Sequence, residues 1–170
     1  SKDFQGKSAG GRYGDVIEEI DWSVGQVMSA LRDSGVDRKT LIVFTSDNGP
    51  WSMFGPHGGT AAPLRGEKGT SWEGGFRVPA IFRWPGKILP AEVDSMAANL
   101  DLYATFAALA GGDEPKQKPG YISKDLSGAL LRGEPSPRTQ WLFAGGALAF
   151  RSGPYKIHLA TKQRSSDPDT

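Results

Sequence analysis

A short apolar run that ends in an Asp-Asn pair constrains this chain more than any other feature. Residues 42–44 read Ile-Val-Phe, which is typical of a strand buried on both faces. Asp47 and Asn48 follow this run, and ligands of open parallel sheets collect beyond the carboxyl ends of strands. Side-chain oxygens placed there suit a hard cation such as Ca²⁺. The alternative is an Asn-Gly hairpin, which residues 50–56 disfavour because they carry prolines at both ends and no alternating return strand.

A long glycine-rich segment, residues 50–75, follows the Asp-Asn pair. Loops of this length in compact domains are usually functional or disordered. Lys68 lies in the tetrapeptide Gly-Glu-Lys-Gly, where the glycines let the backbone approach a ligand and the ammonium offers three donors to an anionic oxygen. Taken by itself, the tetrapeptide favours a solvated surface lysine, and its position after the Asp-Asn pair favours an anion contact.

The histidines and tryptophans leave alternatives open. His57, in Pro-His-Gly-Gly, is either a proton donor or pocket residue or simply an exposed loop residue. His158 is interpreted as an ordinary strand residue. Trp51 and Trp72 either stack on sugar or aryl rings or anchor the loop. At the loop exit, Glu73 is expected to form a structural ion pair with Arg77.

Taken together, these segments resemble the sulfatase family, of arylsulfatase A and N-acetylgalactosamine-6-sulfatase type, in the alkaline-phosphatase-like superfamily. The resemblance rests on TSDNGP at 45–50, PLRGEKGTSWEGGFRVP at 63–79 and WPGKI at 84–88. It implies that Asp47 and Asn48 ligate Ca²⁺ and that Lys68 contacts the sulfate of a sulfate-ester substrate on a sugar or aryl group. It assigns no role to His57. It is compatible with a periplasmic, secreted or lysosomal protein and does not identify the compartment.

The family's nucleophile has no counterpart in this sequence. In similar sulfatases it is a formylglycine, usually made from the cysteine of a Cys-x-Pro-x-Arg motif, and this chain contains no cysteine. We therefore expect a C-terminal fragment of a sulfatase that is inactive by itself and self-associates through uncovered apolar surface. Two alternatives stay open: a phosphate or phosphonate ester hydrolase of the same superfamily, and a non-catalytic module that binds a cation or an anion.

The remaining pattern predicts an α/β fold followed by a small antiparallel subdomain. The resemblance implies that the α/β part is the C-terminal part of an alkaline-phosphatase-like sulfatase sheet with flanking helices. The domain boundary is expected between residues 112 and 113. An Asp15–Glu18 capping box should begin a helix that Gly35 ends. The helix should pack its apolar stripe on a sheet and lead into the strand as half of a βαβ-type layer. The other predicted elements are a strand within 77–84, a helix after Asp101, a linker at 113–121, a helix within 122–131, three strands over 141–159 and a frayed end at 162–170.

Charge and hydropathy give no support to nucleic-acid binding or to membrane attachment. The formal net charge is +1, so nothing in the composition supports binding to nucleic acid or to an anionic membrane surface, which favour concentrated basic charge. No apolar run approaches the ~20 residues that a membrane-spanning helix needs. A chain of 170 residues with 38% hydrophobic content is sufficient for an ordinary domain core.

Overall fold

The computed structural model describes residues 1–112, 122–145 and 147–159. Two 3-10 segments, Asp37–Lys39 and Ser52–His57, lie among its helices and strands, and the second is kinked at Gly55. The fold belongs to the α/β class, as predicted. Its helices and strands are, in chain order, α1 Gly11–Asp33, β1 Ile42–Thr45, α2 Glu73–Phe76, β2 Ala80–Arg83, α3 Asp101–Leu109, α4 Ser127–Arg132, β3 Gln140–Gly145, β4 Ala147–Ser152 and β5 Tyr155–His158.

Helix α1 begins at Gly11, one turn before the predicted capping box, so that prediction is wrong. Asp15 is buried, with 7% of its surface exposed. Its carboxylate accepts backbone N–H hydrogen bonds of 2.7–3.1 Å from three residues of the preceding segment, Gly6, Lys7 and Ser8. These bonds stabilise the charged carboxylate and hold the pKa of Asp15 below its ordinary value. Asp15 therefore fastens the N-terminal segment to α1 instead of capping the helix.

The other end of α1 follows the prediction, and its apolar face is partly exposed. The helix ends at Asp33, and Gly35 has a φ of +69°, a conformation that glycine adopts without a Cβ penalty. Ile17 and Ile20 are 47% and 41% exposed, and α1 contacts the two 3-10 segments more than any described strand. Within the described residues no strand covers this stripe, which agrees with the expectation of uncovered apolar surface, and its packing on a sheet stays a prediction. Periodicity identifies the apolar face of a helix and does not identify what covers it.

Strands β1 and β2 form a two-stranded antiparallel sheet, with Ile42 opposite Arg83 and Thr45 opposite Ala80. The absence of a tight hairpin is confirmed, because the returning strand comes after the long loop. Helix α1 leads into β1 as predicted, β1 pairs antiparallel with β2, and the βαβ-type layer stays a prediction. Phe44 is 39% exposed, so the described residues do not bury β1 on both faces, and the strand has the uncovered apolar surface that was expected of this chain.

A buried ion pair connects α3 with the segment before β3. The guanidinium of Arg138 donates to both carboxylate oxygens of Asp101, and the two residues are 7% and 0% exposed. Asp101 also accepts the backbone N–H groups of Ala98 at 2.9 Å and Lys124 at 2.8 Å. Because every side of this carboxylate has a donor, the pair satisfies the conditions under which a buried charge is tolerated.

The C-terminal strands form the predicted antiparallel meander in the order β3-β4-β5. Phe143 of β3 packs edge-on against Phe76 of α2, with ring centroids 4.9 Å apart. The boundary between residues 112 and 113 remains a prediction, and the predicted linker and frayed end lie outside the described residues. Among the described helices, none combines the length and the apolar character that crossing a bilayer requires.

Candidate functional site

Asp47 and Asn48 follow strand β1 in a turn that hydrogen bonds with neighbouring polar groups hold in place. The carbonyl of Ser46 accepts a 2.9 Å hydrogen bond from Asn99 Nδ2, and Ser46 Oγ donates to the carbonyl of Asn48 at 3.0 Å. Asn48 Nδ2 donates to the carbonyl of Gly49 at 3.0 Å. This last bond occupies the amide nitrogen, so Asn48 presents its Oδ1 as the acceptor open to a ligand.

Gly49 makes the closest backbone approach of the site. Its N–H donates to the carbonyl of Gly75 at 3.0 Å, and a Cβ at this position would lie 1.8 Å from the carbonyl oxygen of Gly74. No side chain fits in that space. Glycine at position 49 is therefore what lets the Asp-Asn turn pack directly on the start of α2.

Lys68 is joined to the same turn through its backbone. Its N–H donates a 2.8 Å hydrogen bond to the carbonyl of Pro50, and its Nζ lies 5.1 Å from the ring centroid of Trp51. Lys68 is half-buried, and the hydroxyl of Thr70 donates to the carbonyl of Glu67 at 2.8 Å to close the loop. The Gly-Glu-Lys-Gly loop, residues 66–69, thus lies beside the Asp-Asn turn.

The oxygens at this turn fit part of a calcium shell. Asp47 is exposed and forms no hydrogen bond or ion pair with a described residue, so its carboxylate is open to a ligand. Ca²⁺ takes six to eight oxygen ligands, and Asp47 and Asn48 offer carboxylate and amide oxygens of the right kind. Among the described residues, no group of three or more His, Cys, Asp or Glu side chains is suited to a metal ion. Among the described residues, the turn therefore offers two candidate ligands and not a complete set.

His57 stands apart from these contacts. It ends the 3-10 segment Ser52–His57 and is exposed, and it has no hydrogen bond to another described residue. The structure does not bring it into the network that joins Lys68 to the Asp-Asn turn. Its role as a proton donor stays a prediction.

A cavity of about 280 Å³ opens beside the two loops. Glu67 lines it on the side of the lysine loop, Pro50 on the side of the Asp-Asn turn, and Thr60 to Leu64 form much of the remaining wall. Small and apolar side chains dominate this wall, as in many small-molecule sites. The cavity reaches the lysine loop through Gly66 and Glu67, and Lys68 itself does not line it.

A second cluster lies at the loop exit, and sequence reasoning missed it. The expected Glu73–Arg77 ion pair is wrong: Glu73 binds Arg151 at 3.0 Å and Lys156 at 2.9 Å, both on the C-terminal sheet. Trp72 anchors the loop, with Arg65 Cζ 4.0 Å from its ring centroid and the imidazole of His158 at 3.9 Å. The sequence carries no local signal for these contacts because the partners are far apart along the chain.

Comparison with known proteins identifies the family of the chain. The sulfatase family model matches residues 1–112, and the chain therefore belongs to the sulfatase family. It is 43% identical to arylsulfatase A of Bos taurus over 98% of the chain and 34% of that protein. It is 39% identical to N-acetylgalactosamine-6-sulfatase of Mus musculus over 95% of the chain and 31% of that protein.

Solved structures give the same result. A sulfatase of Bacteroides thetaiotaomicron, from a locus that metabolises multiple glycosaminoglycans, superposes with a TM-score of 0.80 at 29% identity. The match covers 95% of this chain and 36% of that one. The chain spans about a third of the length of the curated relatives it matches.

Proposed function

We propose that this chain supplies the sulfate contact and part of the cation site of an enzyme that hydrolyses sulfate esters. The observation that supports it most directly is the hydrogen bond from Lys68 N–H to the Pro50 carbonyl, which places the lysine loop beside the Asp-Asn turn. Membership of the sulfatase family supports the same assignment. Asp47 and Asn48 hold Ca²⁺, and Lys68 holds a sulfate oxygen.

The roles of these residues are electrostatic. When bound, Ca²⁺ supplies positive charge beside the sulfate oxygens. Lys68 adds a second positive charge from a backbone that is already fixed, so little reorganisation accompanies the development of negative charge during hydrolysis. Asp47 and Asn48 orient the cation relative to Lys68. The chain contains no cysteine and no Cys-x-Pro-x-Arg motif, so we assign it no part in forming the formylglycine nucleophile.

The substrate is a sulfate ester of a sugar or an aryl alcohol. The cavity of about 280 Å³ beside Pro50 and Glu67 is large enough for one ring of either kind. N-acetylgalactosamine-6-sulfatase bears the name of a sulfated sugar, and the B. thetaiotaomicron relative belongs to a glycosaminoglycan locus. We take a sulfated sugar as the substrate class that these relatives favour.

The test compares ester classes on the full-length protein that carries this sequence. Aryl sulfate, aryl phosphate and aryl phosphonate with the same leaving group are assayed with calcium, and the 170-residue chain is assayed alongside. Preferential sulfate release by the full-length protein supports the proposal, and we expect no turnover by the chain by itself. Preference for phosphate or phosphonate supports the alternative hydrolase, and binding without turnover of any ester supports a non-catalytic module.

A further inference from the structure

His158 has surroundings that the proposed hydrolysis does not use. It lies on β5, and its Nδ1 is 3.3 Å from the hydroxyl of Ser71, which is 4% exposed. Its ring is tilted by 40° over Trp72, with centroids 3.9 Å apart. These two contacts fasten the C-terminal sheet to the loop that leads away from Lys68.

Trp72 transmits this contact to the segment just before Lys68. Its ring also contacts Arg65, whose carbonyl accepts a 2.7 Å hydrogen bond from the N–H of Gly74. Gly66 has a φ of +80°, and a Cβ there would lie 2.5 Å from Trp72 Cβ. Trp72 is therefore packed directly on the backbone that begins the lysine loop, and through this contact it can position residues 65–68.

The charges around the imidazole favour its neutral form. Arg65 on the loop and Lys156 on the same strand are positive, and Glu73 of α2 is already engaged by Lys156 and by Arg151 of β4. His158 Nε2 is buried and has no hydrogen-bond partner among the described residues. Burial, with Lys156 and Arg65, lowers the pKa of His158 from its ordinary value of 6.5.

We propose that His158 is a positioning residue, which in its neutral form holds Trp72 and Ser71 and so fixes the loop of Lys68, and which releases that loop on protonation. Protonation would place a third cation beside Arg65 and Lys156 in a partly dry contact. An indole ring attracts cations, but Arg65 already lies 4.0 Å from the centroid of Trp72. The consequence for sulfate hydrolysis rests on the function proposed above.

The pH window follows from the direction of the pKa shift. The pKa of His158 in the folded state lies below the unfolded value of 6.5, so the contact contributes its full stabilisation of the loop above pH 6.5. It weakens as the pH falls from 6.5 to the folded-state pKa of His158. A purely structural histidine contact with no titration would show no such window.

The test measures hydrogen exchange at the Lys68 amide, which bonds to Pro50, in the full-length protein by mass spectrometry. Protection factors are corrected for the intrinsic pH dependence of exchange. We expect protection of this amide to fall below pH 6.5 in the wild type, by up to about tenfold for each pH unit that the His158 pKa lies below 6.5.

His158→Phe keeps an aromatic ring against Trp72 and removes the titration, so protection of the Lys68 amide in this variant should not vary with pH. His57→Phe is the matched control, since His57 is exposed, and it should keep the wild-type profile.

A second variant makes the result independent of whether His158→Phe folds. Lys156→Gln removes a neighbouring cation and keeps a donor for Glu73, so the wild-type midpoint should move upward toward pH 6.5. A pH-independent wild-type profile, an unchanged profile in His158→Phe or an unmoved midpoint in Lys156→Gln would overturn the proposal.

The exchange measurement separates this inference from the proposed function. Exchange does not require turnover, so a pH-dependent loop in a protein without sulfatase activity would refute the function and support the positioning role. Sulfatase activity with a loop insensitive to His158 would refute the positioning role and leave the function in place. Where both hold, kcat/KM of the wild type should lose activity below pH 6.5 more steeply than that of His158→Phe.

Discussion

The backbone N–H of Lys68 donates a 2.8 Å hydrogen bond to the carbonyl of Pro50, and this bond joins two loops that are otherwise separate along the chain. A parallel contact from Gly49 N–H to the Gly75 carbonyl, 3.0 Å, ties the same turn to the start of α2. Both loops are thus held by backbone atoms, which leaves the side chains of Lys68 and Asp47 to a ligand. Such preorganisation is what electrostatic catalysis requires.

Gly49→Ala should disrupt this junction. The added Cβ would meet the carbonyl oxygen of Gly74 at 1.8 Å, so the two backbones must separate. Overpacking of this kind typically costs ~1–3 kcal/mol of unfolding free energy. Urea unfolding compares this variant with Gly25→Ala, where a Cβ in helix α1 has no neighbour within 4 Å and should stabilise by up to about 1 kcal/mol. Equal stability of the two variants would contradict the close approach.

Asp101→Asn should be among the most destabilising conservative changes in the chain. It leaves Arg138, 7% exposed, without its anionic partner, and breaking a buried pair typically costs ~3–5 kcal/mol. The matched control is Glu134→Gln, whose ion pair with Arg132 is exposed, so its loss should change the unfolding free energy much less. Unfolding free energies measured in urea decide it. A loss at Asp101 no larger than that at Glu134 would mean that the pair is not buried in solution.

The hydrogen bonds of Asp15 predict an acid-dependent stability. Its folded-state pKa is below the ordinary 3.8, so the charged form contributes stability above that pH, and the contribution is lost as the pH falls through the folded-state value. The difference in unfolding free energy between wild type and Asp15→Asn should therefore shrink below about pH 3.8. Thermal unfolding at a series of pH values measures it, with Asp3→Asn as an exposed control. A difference that stays constant with pH would show that the N-terminal segment does not bind this carboxylate.

Calcium binding by the chain alone should be weak and should depend on Asp47. Two oxygen ligands replace little of the hydration of an ion that prefers six to eight, so we expect a Kd at or above about 10⁻⁴ M. Isothermal calorimetry of wild type, Asp47→Ala and the exposed control Asp94→Ala measures it. Submicromolar binding that survives Asp47→Ala would place the cation site elsewhere in the chain.

The sequence predicted those features that short segments determine. The strand before Asp47, the stop at Gly35 and the three C-terminal strands follow from local apolar patterns and glycine conformations. The prediction that the Asp-Asn turn and the lysine loop belong to one site was based on the family resemblance and not on any spacing rule. Its physical basis, a backbone hydrogen bond from Lys68 and a glycine approach at Gly49, is visible only in three dimensions.

Long-range partners account for what the sequence did not predict. Glu73 forms ion pairs with Arg151 and Lys156 and not with its neighbour Arg77, because the C-terminal meander places both of those cations against α2. Asp15 looked like a helix cap because a carboxylate followed three positions later by Glu18 has that pattern. The choice between a cap and a contact with the preceding segment depends on how the chain enters the helix, which the pattern does not specify.

The central claim is that Lys68 contacts the sulfate, and kcat/KM of the full-length protein for an aryl sulfate tests it most directly. Lys68→Ala should lower kcat/KM by ~10²–10³, as removal of one preorganised contact to developing negative charge typically does. Lys87→Ala, at an exposed lysine, is the control and should stay within about twofold of wild type. A loss of two orders of magnitude confined to Lys68→Ala is the predicted result. Values for Lys68→Ala within about twofold of wild type would contradict the account and return Lys68 to the solvated lysines of the surface.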